Sequence, residues 1–374
     1  MAPFGFATAG TIRFGRGVLA EAAPFAQARA RKVLLVRSRS VVAASVLAQS
    51  LRGAADVLEL TVTGEPDLPG IVADLASARD FRPEMVIAIG GGAVIDHGKA
   101  LAALLRAAHG PMHYLEVVGQ GHPLEAAPLP LVAIPTTAGT GAEVTRNAVI
   151  QIPEARRKVS LRDPRLYPTL ALIDPDVCLS CPKSVTLASG LDAITQVIEP
   201  FICARANPVT DALCRDAIPR GLSALRRLVA HGDTLAWDDM ALTSLFGGIA
   251  LANAGLGAVH GFAGVIGGRT GAAHGAVCGA LLVPVLEANL HAAPKDSVTA
   301  QRIGWVMGQI AAEFGSVAQF RSWCRDNGLP RLAELGVLSG DHAFLAQEAR
   351  LSSSYKANPV DLGARQLQDI LATA

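Results

Sequence analysis

The sequence predicts two domains of different class: an α/β unit over residues 1–181 with a mostly parallel, Rossmann-like sheet, and an all-helical unit over 182–374. Three observations predict it. The chain has 374 residues, more than one ordinary core accommodates and enough for two of about 150–200 residues. Short β-branched runs alternate with alanine- and leucine-rich stretches as far as Pro175, the pattern of parallel strands and crossover helices. Beyond Pro182 the short runs cease and segments of helical period take over.

Taken in order, strands are expected at Val33–Val36, Val57–Leu60, Met85–Ile89, Leu131–Ile134 and Leu170–Ile173. Helices are expected between them at Ser40–Arg52, Pro69–Arg79 and Ile95–Ala108. The change of class falls near Asp174-Pro175-Asp176. Pro182-Lys183 opens the first helix of the second half, since proline pre-sets φ for a first turn. Helical segments then follow at Val185–Cys203, Pro208–Ala230, Trp237–Ala254, Val277–Leu290, Ser297–Phe314, Val317–Asp326, Asp341–Leu351 and Ala364–Thr373.

Composition narrows the function. Hydrophobic residues make up 51% and charged residues 17% of the chain, ample for buried cores. The formal net charge of +1 argues against a nucleic-acid or membrane-surface partner, which calls for a basic stripe. Apolar runs such as Met85–Ile89 and Val277–Leu286 fall short of the roughly 20 residues a bilayer span needs. The first residues lack a basic segment followed by an apolar core, so a cytoplasmic protein is expected. Six cysteines are scattered, at 178, 181, 203, 214, 278 and 324. Cys178 and Cys181 are the one close pair, and without a second such pair they read as ordinary thiols.

Two turns carry nucleotide chemistry. Ile87-Ala88-Ile89 runs into Gly90-Gly91-Gly92, then Ala93 and a helix. Glycines at a strand end let a backbone approach a pyrophosphate, and the helix start at Gly91, Gly92 and Ala93 offers unpaired N–H groups to it. A plain strand-to-helix turn is the alternative. The segment Pro135 to Thr145 follows Leu131–Ile134 and places hydroxyls at Thr136, Thr137 and Thr140, suited to phosphate or ribose. After the first strand come Arg37-Ser38-Arg39-Ser40, whose guanidinium groups suit a 2′-phosphate or are simply solvated. Lys158 either guides an anionic group or sits on a solvated loop.

The second half carries a metal-type pattern. Asp192 and Gln196 are four apart, on one helix face. His260-Gly261 and His274-Gly275 lie fourteen residues apart across a glycine-rich stretch. Carboxylate and imidazole donors suit Fe(II) or Zn(II), although packing histidines are the other reading. The remaining histidines, at 97, 109, 113, 122, 231, 291 and 342, have no evident partners and read as surface residues or as neighbours of a site. Glu199 either buttresses its helix or pairs with an arginine.

The motifs GGGxxxD at Gly90–Asp96 and PTTAGTGxEVT at Pro135–Thr145 resemble those of the iron-containing alcohol dehydrogenase family, and the resemblance covers nearly the whole chain. It implies a dehydroquinate synthase-like fold and hydride transfer between NAD or NADP and an alcohol–aldehyde or ketone couple. It implies that Gly91 and Gly92 contact the pyrophosphate, that Thr136, Thr137 and Thr140 line the cofactor, and that Asp96 holds the glycine loop. Many members have an acidic residue about where Ser38 stands. Its absence here, with Arg39 beside it, implies acceptance of NADP. Asp192, His260 and His274 match metal ligands of the family motif and are the implied catalytic centre. Gln196 stands where that motif, GxDAxTHxxE, has histidine, and an amide oxygen is a neutral, weaker ligand. Gly264 stands where a further histidine is often found. A related branch, the maleylacetate reductases, resembles this chain at Arg162-Asp163-Pro164-Arg165 and makes a carboxylate substrate the second reading. A metal-free or non-catalytic relative is the third. A homodimer or higher homo-oligomer is expected.

Overall fold

The structure is a computed structural model that describes residues 3–53 and 55–374. Two compact units emerge: Thr8–Thr137 with Gly141–Cys181, and Pro182–Ala374 with Ala138–Thr140 and the residues up to Ala7.

The first unit holds β1 (Thr11–Phe14), α1 (Ala22–Gln27), β2 (Lys32–Ser38), α2 (Val42–Arg52), β3 (Asp56–Val62), α3 (Leu68–Phe81), β4 (Met85–Gly90), α4 (Gly92–Leu104), β5 (Leu131–Pro135), β6 (Asn147–Ile152), β7 (Arg157–Arg162) and β8 (Leu170–Ile173). Six strands form one sheet in the order β1-β8-β5-β4-β2-β3, and every pairing in it is parallel. Side chains alternate between its faces. Leu34, Val36, Val86, Ala88, Leu131 and Ala133 join one apolar cluster with residues of α3 and α4. Val33, Leu35, Met85, Ile87, Ile89, Val132 and Ile134 join another with α1 and α2. Both faces are covered, so these strands read as unbroken apolar runs.

All five expected strands are present. Three were not expected. β1 has four residues and is largely exposed, and β6 and β7 form an antiparallel hairpin.

Beneath β6 lies a fully buried lysine. Lys99 Nζ donates to the Thr145 carbonyl at 2.7 Å, to Thr145 Oγ1 at 2.8 Å and to the Asn147 carbonyl at 3.0 Å. This satisfies all three ammonium donors and ties α4 to the end of the Pro135–Thr145 segment. Burial pushes Lys99 down to about 8 and pushes the buried Glu143 carboxyl up to about 7, from 4.5. The folded chain thus holds the Glu143 proton to higher pH than the unfolded chain. That contribution to stability is present in full below about 4.5 and is lost as pH rises through about 7. Glu143→Gln, which keeps the shape and removes the charge, should be more stable than the parent at pH 8 by up to about 3 kcal/mol. The advantage should vanish at pH 4.5. Denaturation midpoints that move in parallel across this range would refute the assignment.

The second unit is helical: α5 (Lys183–Ile202), α6 (Pro208–His231), α7 (Ala236–Asn253), α8 (Ala258–Thr270), α9 (His274–Ala292), α10 (Val298–Phe314), α11 (Val317–Asp326), α12 (His342–Leu351) and α13 (Ala364–Thr373). Local chemistry sets the ends. Before α6, Asn207 Oδ1 accepts from Thr210 N and Thr210 Oγ1 accepts from Asn207 N, a reciprocal cap. Gly232 closes the same helix at φ 63°, which glycine adopts without strain.

The glycine-rich stretch between His260 and His274 is expected without an assigned element. Most of it instead lies in α8, whose Val259, Phe262, Ala263 and Ile266 face the core. The absence of a span-length apolar segment also needs correction. α9, at 19 residues, is long and apolar enough to cross a bilayer, yet 61% of its apolar window is buried inside the protein.

Candidate active site

In the α/β unit, a candidate nucleotide site is set by register. β2, β4 and β5 are adjacent, with Arg37 beside Ile89 and Gly90 beside Pro135. Ser38, Gly90 and Pro135 therefore end on one carboxyl edge of the sheet, where the connection leaving β2 runs to β3 on one side and the connection leaving β4 runs to β5 on the other. Ligands of doubly wound sheets bind at such a reversal. Gly90 is explained by packing alone, since a Cβ there would meet Val94 at 2.5 Å. Gly91 precedes α4 in extended conformation with no side-chain cap among the described residues. The amides at the start of α4, around Gly92 and Ala93, and their partial positive charge thus face the sheet edge. Thr136 N donates to the Gly90 carbonyl at 2.9 Å, locking the two turns together, and Thr137 Oγ1 lies 3.4 Å from where a Gly91 Cβ would stand.

Other expected cofactor residues are placed as follows. Asp96 accepts from Val149 N at 3.1 Å, so it ties α4 to β6, where the expectation was the glycine loop. Thr140 falls in the segment that clusters with the helical unit. Ser38 ends β2. Arg37 pairs with Glu59 at 3.1 Å and donates to Ser45 Oγ at 2.7 Å, while Arg39 beside it is exposed. Lys158 lies on β7 with its side chain 6% exposed and pairs with Glu65 at 3.0 Å. Neither a solvated loop nor an open cation is found there. The arginines of the Arg162–Arg165 segment are engaged too, Arg162 with Glu116 and Arg165 with Asp163 and the Leu124 carbonyl.

The helical unit carries its own cluster. Asp192 on α5, His260 on α8 and His274 at the start of α9 converge. Asp192 Oδ1 lies 3.2 Å from His260 Nε2 and 3.8 Å from His274 Nε2. Cys278, one turn beyond His274 on α9, places Sγ 3.7 Å from His274 Nε2 and 3.9 Å from His260 Nε2. One donor atom of each residue lies within 4.8 Å of all the others. Metal bonds of 2.0–2.1 Å to N or O and 2.3 Å to S separate tetrahedral donors by about 3.3–3.6 Å. The four measured separations sit close to that range, so the donor set fits a divalent metal. Gln196, also expected among the ligands, is buried on α5 and donates Nε2 to the Gly139 carbonyl at 2.7 Å.

Behind His260 stands Glu199, whose role is different from a pairing with arginine. Its Oε2 accepts from His260 Nδ1 at 2.7 Å and its Oε1 from Val259 N at 2.7 Å. With the Nδ1 proton held there, the Nε2 lone pair points into the cluster, as in histidines that ligate metals. Burial opposes charge on each member. Even so, Cys278 and Asp192 hold His260 and His274 above the usual imidazole range, and His274 and His260 hold Asp192 below the usual carboxylate range. Gly264, one turn along α8 from His260, leaves open space.

Sequence reasoning missed Cys278 as a member. Its signal was the four-residue spacing from His274, the spacing already recognised between Asp192 and Gln196. Four of the histidines without evident partners in the sequence have neighbours in the structure. His97 is buried against Asp74 at 2.8 Å, and the rings of His109, His113 and His122 pack together with centroids 4.2–4.3 Å apart.

Residues 9–175 match the family model described as iron-containing alcohol dehydrogenase, and residues 186–374 match the C-terminal model of the Fe-containing alcohol dehydrogenase family. The chain is 32% identical to alcohol dehydrogenase 4 of Saccharomyces cerevisiae over 96% of each protein. It is also 32% identical to lactaldehyde reductase of Escherichia coli over 97% of each. Among solved structures, the alcohol dehydrogenase from Oenococcus oeni superposes with a TM-score of 0.88 at 28% identity, covering 99% of each chain. A 1,3-propanediol oxidoreductase does so with a TM-score of 0.87 at 29% identity, also covering 99% of each.

Proposed function

The chain belongs to the iron-containing alcohol dehydrogenase family, and from that membership we propose that Asp192, His260 and His274 hold a divalent metal at which an alcohol and its aldehyde are interconverted with a nicotinamide nucleotide. That the protein is an oxidoreductase of the alcohol–aldehyde class follows from the family and its relatives. The assignment of residues is our own. It is supported above all by the convergence of a carboxylate and two imidazoles from three helices on one point, with Glu199 fixing the tautomer of His260.

Bound there, the metal supplies Lewis-acid polarisation of the substrate oxygen, and the reduced nicotinamide supplies the hydride. The chain's own groups do the rest. Asp192 anchors the cation through its buried carboxylate. Glu199 keeps the Nδ1 proton of His260 away from the cluster. The start of α4 holds the anionic pyrophosphate through backbone amides at Gly91, Gly92 and Ala93, beside Thr136 and Thr137. Because Gly264 has no side chain, the product oxygen takes its proton from water or from a ribose hydroxyl. Small alcohols and aldehydes, of the kind named in the lactaldehyde and propanediol relatives, are the substrates to test first.

For the nucleotide, we assign NADP acceptance to Arg39, since Arg37 is already engaged by Glu59. Reduction of a panel of short aldehydes with NADH and with NADPH tests both assignments. Chelation should abolish turnover and metal should restore it. Arg39→Ala should lower kcat/KM for NADPH by about 10-fold, the worth of one charged hydrogen bond, and leave NADH unaffected. Full turnover after chelation sinks the metal reading. A strong NADH preference that the substitution leaves unchanged sinks the other.

A further inference from the structure

We propose that Cys278 is a protein ligand of the metal in this chain, as a thiolate, beside Asp192, His260 and His274. This rests on the metal reading above. Three observations support it. The Sγ atom is 3.7 and 3.9 Å from the two imidazole Nε2 atoms, against about 3.6 Å between sulfur and nitrogen on a tetrahedral ion. His274 and Cys278 are one turn apart on α9, so both side chains leave the same helix face, and Cys278 is fully buried with no route to another role at the surface.

Charge favours the same choice. With two neutral imidazoles, Asp192 and a Cys278 thiolate exactly offset a divalent cation, leaving a buried centre that is neutral overall. Gln196 in that role would leave a buried net positive charge, which is costly. On binding, the Cys278 S–H bond breaks, its proton leaves to solvent, and the sulfur lone pair forms the bond to the metal. No atom changes oxidation state. A soft thiolate among harder donors shifts selectivity from iron towards zinc and cobalt.

Cobalt(II) is the probe. The full chain, stripped of metal by chelation, is titrated with Co(II) and followed by absorbance and bound-metal analysis. The expected spectrum shows visible ligand-field bands of a tetrahedral or five-coordinate ion together with a near-ultraviolet thiolate-to-cobalt charge-transfer band. Cys278→Ser should lose the charge-transfer band, keep the visible bands, and weaken cobalt affinity by at least ~10–100-fold, the effect of disturbing even an outer partner. Gln196→Ala should keep the charge-transfer band. Circular dichroism of each variant separates these results from misfolding, and Cys278→Ala repeats the test without a hydroxyl. Visible bands with no charge-transfer band in the parent, or a band that persists in both Cys278 variants, overturn the ligand assignment and leave the metal reading standing. Failure of the parent to bind cobalt overturns the metal reading and this inference with it.

Discussion

Replacing Asp192 with alanine is expected to lower kcat/KM by at least ~10³-fold and to yield protein without bound metal. Loss of several kcal/mol of Lewis-acid stabilisation corresponds to a change of that order. Asp192 is 2% exposed and faces both imidazoles through one oxygen. Without it the cluster keeps two neutral nitrogen donors and a thiol, and His260 and His274 lose the carboxylate that helps to hold them above the usual imidazole range. Asp192→Asn separates charge from shape. It retains the side-chain volume, so it should fold as the parent does and still lose the metal. Elemental analysis and steady-state kinetics on both variants make the check. Stoichiometric metal with kcat/KM within tenfold of the parent would falsify the role given to this residue.

Gly275→Val is expected to cost both stability and turnover. A Cβ at Gly275 would lie 2.2 Å from the Ala188 carbonyl oxygen and 3.3 Å from the Asp192 Cβ. The first turn of α9 thus rests directly on the backbone of α5, and no rotamer change can relieve a clash with a carbonyl. Removing a helical glycine gains about 1 kcal/mol at most, whereas overpacking costs typically about 1–3 kcal/mol, so the net change should be destabilising. The larger effect is geometric. Forcing α9 away from α5 separates His274 from Asp192, and a displacement of about 1 Å at such a site costs about 10²-fold in rate. Urea midpoints and kcat/KM measured together decide the matter. A variant as stable and as active as the parent would show that the two helices have room to spare.

The elements that sequence reasoning found are those whose chemistry is local. β2, β4, β5 and β8 are buried on both faces and read as short β-branched runs, and α6 announces itself through Asn207-Pro208 and Gly232. The misses have tertiary causes. β1 gains its identity from pairing with β8, not from any alternation of its own. The β6–β7 hairpin carries lysine and arginine that looked solvated but are held by Glu65 and Glu116. α8 contains Gly261, Gly264, Gly267 and Gly268, which lower its intrinsic helicity. Packing overrides them, and the apolar spacing of Val259, Phe262, Ala263 and Ile266 was legible in hindsight. Within the site, Asp192, His260 and His274 were legible through their motifs and do converge. Cys278 was passed over because isolated thiols are ordinarily inert packing residues, and only proximity to two imidazoles gives this one a different meaning.

The Glu199 carboxylate accepts both the Val259 amide, in the opening turn of α8, and the His260 ring proton. A single side chain therefore starts a helix and aims an imidazole from it. Any drift in how α8 begins is transmitted to the imidazole as a rotation of the ring, with no flexible joint between to absorb it. The rigidity of the centre is in this respect inherited from a backbone event, and selection on foldability and on reactivity acts here through the same two oxygen atoms.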